Sequence, residues 1–180
     1  MHGNHLKTDR GFSLVELSIV LLMIAVLASF SIPMLNSSLR DMKIISDAQG
    51  IATTLTYAKL QAMAQMTSWK LSFDLANNQW QIERFDRDTG QYVMEQSVKT
   101  LSEGVSNSGI VFVAESASAP TGFPTESSTT ITFNSRGIPI QSEGPGIVYI
   151  SNNNSHYAVS VSISGKVDTW RLQNQQWASK

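Results

Sequence analysis

The segment Phe12–Met34, FSLVELSIVLLMIAVLASFSIPM, is 23 residues long and holds a single ionisable side chain, Glu16. As a helix it would extend about 35 Å, enough to cross a hydrocarbon layer of about 30 Å. Thirteen of its residues are Leu, Ile, Val or Phe. At about 0.3–0.6 kcal/mol favourable each, they outweigh one acidic residue costing about 3 kcal/mol. Membrane insertion is the expected outcome. Lys7 and Arg10 lie immediately before the run, so the positive-inside bias keeps the N-terminus in the cytoplasm and sends the rest of the chain across.

Three readings of this segment compete. A secretory signal peptide would carry a basic start, a shorter apolar region and a small-residue cleavage site, for which Val26-Leu27-Ala28 could serve. A plain membrane anchor explains the hydrophobicity. Both leave Glu16 unexplained, and a carboxylate inside an apolar span is expensive enough to mark a partner or a function. In a bundle of related helices it can meet a positive N-terminus and fix the axial register; alone, it can snorkel to the interface. The third reading comes from the literal string. Gly11-Phe12-Ser13-Leu14-Val15-Glu16 at the head of an apolar helix, after a short basic leader, resembles the type IV prepilin motif. That resemblance implies a peptidase cut after Gly11, N-methylation of Phe12, pairing of Glu16 with the Phe12 amine of a neighbouring subunit, and a helix kink at Pro33.

The helical pattern continues past the span. Leu39, Met42, Ile45, Ala48, Ala52, Leu55, Ala58, Ala62, Met63 and Met66 recur mostly at steps of three or four, with charged and polar residues between them. One helix is expected from Phe12 to near Met66, bent at Pro33 and softened at Gly50, with Met42, Met63 and Met66 filling core. After Trp69 the period becomes two. Strands are expected at Lys70–Leu75, Trp80–Phe85, Tyr92–Val98, Gly109–Ala114, Thr129–Asn134, Ile147–Ser151, Ala158–Ser164 and Val167–Leu172, joined by turns at Ala76-Asn77-Asn78, Asp88-Thr89-Gly90 and Ser164-Gly165-Lys166. Glu115–Ser128 reads as a long solvated surface loop.

The fold class is therefore α+β: a long N-terminal helix, transmembrane in its first half and amphipathic in its second, packed on a mainly antiparallel β head. The expected divisions are a leader over 1–11, a transmembrane or fibre-core helix over 12–34, the amphipathic half over 35–67 and a periplasmic head over 68–180. The helix Ala52–Ala64 running into a strand, Ile131–Gly137 and Val159–Val167 resemble the H-type minor pseudopilins of type II secretion and the FimT-like minor pilins. That resemblance implies a non-enzymatic assembly subunit of the inner membrane and of a pilus or pseudopilus. Its implied partners are other pilins, the prepilin peptidase and the inner-membrane assembly platform.

Chemistry is sparse. The chain has no cysteine and three histidines, His2, His5 and His156, so thiol catalysis and Cys-ligated metals are excluded. No nucleophile elbow, zinc-protease motif, phosphate loop or EF-type calcium loop is present. Neither a catalytic residue nor a cofactor is expected. Glu83, Asp86 and Asp88 could offer oxygens to calcium, or form a solvated hairpin end balanced by Arg84 and Arg87. Some FimT-like pilins take up DNA through a C-terminal Gly-Arg-x-Arg pattern, and Gly165-Lys166-Val167-Asp168, with Arg171 beyond it, holds the corresponding place. Asp168 there opposes phosphate contact. The chain carries 13 Lys+Arg against 14 Asp+Glu, and loss of Lys7, Asp9 and Arg10 with a leader would leave 11 against 13. Nucleic-acid binding is accordingly disfavoured. A membrane-anchored binding module that uses 12–34 only as a tether is the remaining alternative.

Overall fold

A computed structural model of the chain describes residues 13–102, 109–140, 145–152 and 155–179, the side chains of 30–38 and 40 excepted. Among the described residues one helix, α1 (Leu14–Ala64, 51 residues), leads into ten strands. The chain divides into two compact units at Arg40/Asp41. The first holds the start of α1, whose described side chains, from Ser13 to Ser29, are all exposed. Among the described residues no helix is long and apolar enough to cross a membrane. The described side chains of the apolar run end at Ser29, short of Met34.

In the second unit, α1 turns one stripe inward. Ile44, Ala48, Ile51, Leu55, Ala58 and Ala62 are fully buried, and their alternating spacing of four and three keeps all six within about 80° of one another around the helix. Met42 lies about 160° away from Ile44 and is exposed, as are Met63 and Met66. The expectation that these methionines fill core is thus wrong, and Ile44 and Ile51 take the place assigned to them. The helix also stops slightly early, at Ala64, because Met66 adopts a left-handed backbone with φ of 50°.

The strands form two antiparallel sheets of five. The first contains β1 (Trp69–Asp74), β2 (Gln79–Asp86), β3 (Gln91–Met94), β4 (Lys99–Thr100) and β6 (Thr130–Phe133), in the order β3-β2-β1-β6 with β4 also on β2. The second runs β10-β9-β8-β7-β5, from β5 (Val111–Val113), β7 (Gly146–Ser151), β8 (His156–Val161), β9 (Val167–Gln173) and β10 (Gln176–Ser179). The expected third strand over 92–98 is shorter: β3 ends at Met94, Glu95 N still donates to Ile82 O at 3.0 Å while its side chain pairs with Arg84, and pairing with β2 resumes only at β4. β10 was not foreseen: Asn174 and Gln175, both with positive φ, make a tight hairpin without glycine.

One continuous core receives the helical stripe, Trp69, Leu71, Phe73, Trp80, Ile82, Ile131 and Phe133 from the first sheet, and Phe112, Val148, Ile150, Tyr157, Val159 and Val161 from the second. The second sheet is dry on both faces. Its far side buries Ile147, Tyr149 and Ala158 against Phe123, Trp170 and Trp177. The segment Glu115–Ser128 therefore corrects the expectation of a solvated loop: it is the cover of that sheet. The Tyr149 hydroxyl donates to Pro124 O at 2.7 Å, the Trp177 indole N–H donates to Ser118 O at 3.1 Å, and Ser128 N donates to Ile147 O at 2.6 Å. Polar ties also cross the main core. Asp47 on α1 accepts from both the amide (2.9 Å) and the hydroxyl (2.6 Å) of Ser102, and Lys59 donates to Gly165 O at 2.9 Å.

Two predictions follow from this packing. At Gly165, φ is +77° and an added Cβ would lie 2.6 Å from Gly137 O, whereas Gly90, at +70°, has open space. Gly165→Ala should cost more than about 2 kcal/mol and Gly90→Ala about 1 kcal/mol in urea unfolding. Burial pushes the Tyr149 phenol up to about 12. A raised folded value stabilises fully below the ordinary value of about 10 and is lost as pH rises through it. Tyr149→Phe should cost about 1 kcal/mol at neutral pH, and thermal melts between about pH 10 and pH 12 should show the wild type falling to and then below the variant, since a phenol raised this far is worth more than about 2 kcal/mol.

Candidate assembly surface

The start of α1 is built around Ser13 and Glu16. Ser13 N donates to Glu16 Oε2 at 3.3 Å, Val15 N donates to Ser13 Oγ at 3.4 Å, and Leu17 N donates to Ser13 O at 3.1 Å. Ser13 is the N-cap, its hydroxyl taking the second helical amide, and Glu16, the third helical residue, reaches back to the Ser13 amide as the acidic half of a capping box does. The carboxylate also sits where the helix dipole favours negative charge. The local Ser-x-x-Glu spacing carried this signal in the sequence; neither pairing with a neighbouring subunit nor snorkelling to the interface, the two roles expected of Glu16, included the contact with Ser13. One oxygen, Oε2, takes the Ser13 amide; a carboxylate has capacity for a further donor.

From Leu14, 80% exposed, to Leu27, 68% exposed, the apolar side chains stand outward. The two serines with recorded bonds further along satisfy themselves within the helix, Ser18 Oγ donating to Leu14 O and Ser29 Oγ to Ala25 O, each at 2.8 Å. This removes their need for water. Glu16 is the one ionisable side chain on the surface. Gly11 and Phe12, the expected processing and methylation positions, lie outside the described residues. At Pro33 the backbone is helical, and its side chain lies outside the description.

The other candidates are occupied. Lys166 forms an ion pair of 2.8 Å with Asp168, and Arg171 lies over the Tyr157 ring with its guanidinium carbon 5.7 Å from the centroid. Each cation thus has a local partner, and no paired basic patch results. Glu83 does not join Asp86 and Asp88. It accepts from Lys70 at 2.6 Å, Gln81 at 2.7 Å and Ser72 at 2.9 Å. Burial pushes its pKa up, and the bonds from Lys70, Gln81 and Ser72 together outweigh that and hold it below the usual carboxylate range. Asp86 accepts from the Asp88 amide and from Thr89 Oγ1, closing the turn. Among the described residues no group of three or more His, Asp or Glu is placed to hold a metal ion.

These placements predict that the full-length chain in detergent gives no salt-dependent retardation of duplex DNA at low ionic strength; retardation that falls with added salt would restore the nucleic-acid alternative.

Residues 47–165 match the family of type II transport protein GspH, and residues 6–32 match the prokaryotic N-terminal methylation motif. No curated protein matches the chain. Among solved structures, the type IV minor pilin FimU of Pseudomonas aeruginosa is similar at a TM-score of 0.50 and 14% identity, over 74% of this chain and 90% of that one. The minor pseudopilin EpsH from the type II secretion system of Vibrio cholerae is similar at a TM-score of 0.50 and 13% identity, over 73% of this chain and 97% of that one. At such identities the likeness speaks for the fold: a long helix on antiparallel sheets. The chain belongs to the type II transport protein GspH family and is a pilin-like minor pseudopilin, an assembly subunit.

Proposed function

We propose that the chain is made as a prepilin of the bacterial inner membrane, with its N-terminus cytoplasmic and its head periplasmic, and is then drawn into a pilus or secretion pseudopilus. The observation that carries this reading is the exposed apolar helix from Leu14 to Leu27, in which Glu16 is the one ionisable side chain. Such a surface is stable only in lipid or against other apolar helices. The sequence from Phe12 to Met34 supplies the 23 residues that a span requires.

In this reading a prepilin peptidase removes residues 1–11, cutting after Gly11, and Phe12 is methylated on its new amine. Residues 12–34 serve first as the span and then as part of a fibre core. Residues 35–67 carry the amphipathic half of the helix, and 68–180 the head. Pro33 bends the helix between its two tasks. Glu16, whose Oε2 already takes Ser13 N, offers its remaining capacity to the Phe12 amine of a neighbouring subunit. Burying two opposite charges together avoids leaving either unpaired in a low dielectric, where truncating one partner costs about 3–5 kcal/mol. The assembly platform of the inner membrane is the expected partner during extraction.

Mass spectrometry of the mature chain should find an N-terminus at methylated Phe12; one at Ser29 would identify an ordinary signal peptide and sink the reading. Glu16→Ala should be processed normally yet appear in sheared fibres at less than about one-tenth of the wild-type level, and incorporation at the wild-type level would refute the pairing role.

A further inference from the structure

Each sheet has an outer strand with unused backbone groups, β3 in the first and β10 in the second. Glu95 N donates to Ile82 O, so residues 91, 93 and 95 face β2 while Tyr92 and Met94 turn their amides and carbonyls outward. The two-residue turn at Asn174 and Gln175 makes Gln173 and Gln176 a hydrogen-bonded pair, so Trp177 and Ser179 turn theirs outward from β10. Among the described residues nothing takes these groups. Both strands lie in unbroken described runs, 13–102 and 155–179; the interior gaps in the description fall between β4 and β5, β6 and β7, and β7 and β8.

The two edges have definite directions and faces. From the end of α1, β1 runs toward Asn78, whose carbonyl takes Leu101 N beside the Ser102–Asp47 contact, and β3 runs the same way, each being antiparallel to β2. β8 starts beside Ser155, which donates to Asp41 at 3.1 Å, and β10 runs with β8, each antiparallel to β9. Relative to α1, β3 and β10 therefore run in opposite directions. Val93 stands opposite Arg84, and Arg84 opposite the core residue Trp69, so Tyr92 and Met94 face away from α1. Trp177 also faces away from it, in the outer cluster with Tyr149. With opposite directions and like faces, the open groups point to opposite flanks of the head.

We propose that a second copy of this chain docks its β10 edge against β3 of the first, joining their sheets head to tail. The inference rests on the reading of the chain as a fibre subunit, in which the helices run parallel. Copies with parallel helices present β3 and β10 antiparallel with matching faces, whereas β3 against β3 would turn the helices opposite ways. One register uses every open group: Tyr92 opposite Ser179 and Met94 opposite Trp177, with Val93 opposite Ala178 between them. Neither strand contains a charged residue, and the Met94 thioether meets the Trp177 ring. β3 lies beside Trp69, at the level of Tyr57 on α1, and β10 lies nearer Asp41. Joined copies are thus staggered along the helix axis, as successive subunits of a fibre are.

The chain has no cysteine, so disulfide trapping is clean. Val93 and Ala178 would form a non-hydrogen-bonded pair, whose Cα separation of about 4.5 Å suits a disulfide. Both side chains are exposed, so substitution there should keep the wild-type melting temperature. In cells with the whole apparatus, the full-length chain carrying Val93→Cys and Ala178→Cys should give, on mild oxidation of the sheared fibres, at least tenfold more disulfide-linked dimer than either single variant. If the double variant fails to fold, the two single variants made together should give the mixed dimer. Equal dimer from Val93→Cys alone would reveal two-fold pairing and overturn the proposal. Fibres that contain the chain but yield no dimer above the single variants would overturn it too, leaving the assembly reading intact. Absence of the unaltered chain from the fibres would defeat both.

Discussion

Everything in the head depends on one stripe of α1. Ile44, Ala48, Ile51, Leu55, Ala58 and Ala62 form its buried edge, and residues of both sheets join the same core. Three of the six are alanine, which lets strand side chains as large as Trp69, Phe133 and Tyr157 occupy the space between. Neither sheet could bury its apolar face against solvent, so a helix with that spacing is what makes the two a single core. Burial of the polar Asp47 beside the stripe is tolerated because both of its oxygens are occupied by Ser102.

The same helix changes the character of its surface along its length. Up to Ser29 every described side chain is exposed and nearly all are apolar; beyond Asp41 one face is packed and the opposite face carries Ser46, Gln49 and Thr53. The division of the chain into units at Arg40/Asp41 falls where the pattern changes. The contact of Ser13 with Glu16 fixes the N-terminal end of this helix.

Much of this was legible in the sequence. Six of the ten strands were legible closely: those of the first sheet because a half-buried sheet writes period two into the text, and β7 as a short apolar run between turns. Hydrophobicity alone misplaced the helix face: Met42, Met63 and Met66 match the period loosely, and only the contact with two sheets selects Ile44 and Ile51. The cover formed by Glu115–Ser128 was misread because its Ser, Thr and Pro look solvated. Its value lies in carbonyls and hydroxyls that meet Tyr149 and Trp177 from strands far along the chain, a pairing that no local pattern announces. The candidate residues divide likewise. Glu16 stood out by its isolation, and Ser13 by a short spacing easily passed over. The cations at Lys166 and Arg171 needed Asp168 and Tyr157 in place before their occupancy was visible.

The central claim is that the N-terminal helix is a polymerisation element rather than a tether. Replacing residues 12–34 by an unrelated, uncleaved transmembrane helix of the same length separates the two. The exchanged chain should insert, keep a folded head and be absent from the sheared fibre fraction. Its recovery there at the level of the unaltered chain would contradict the account.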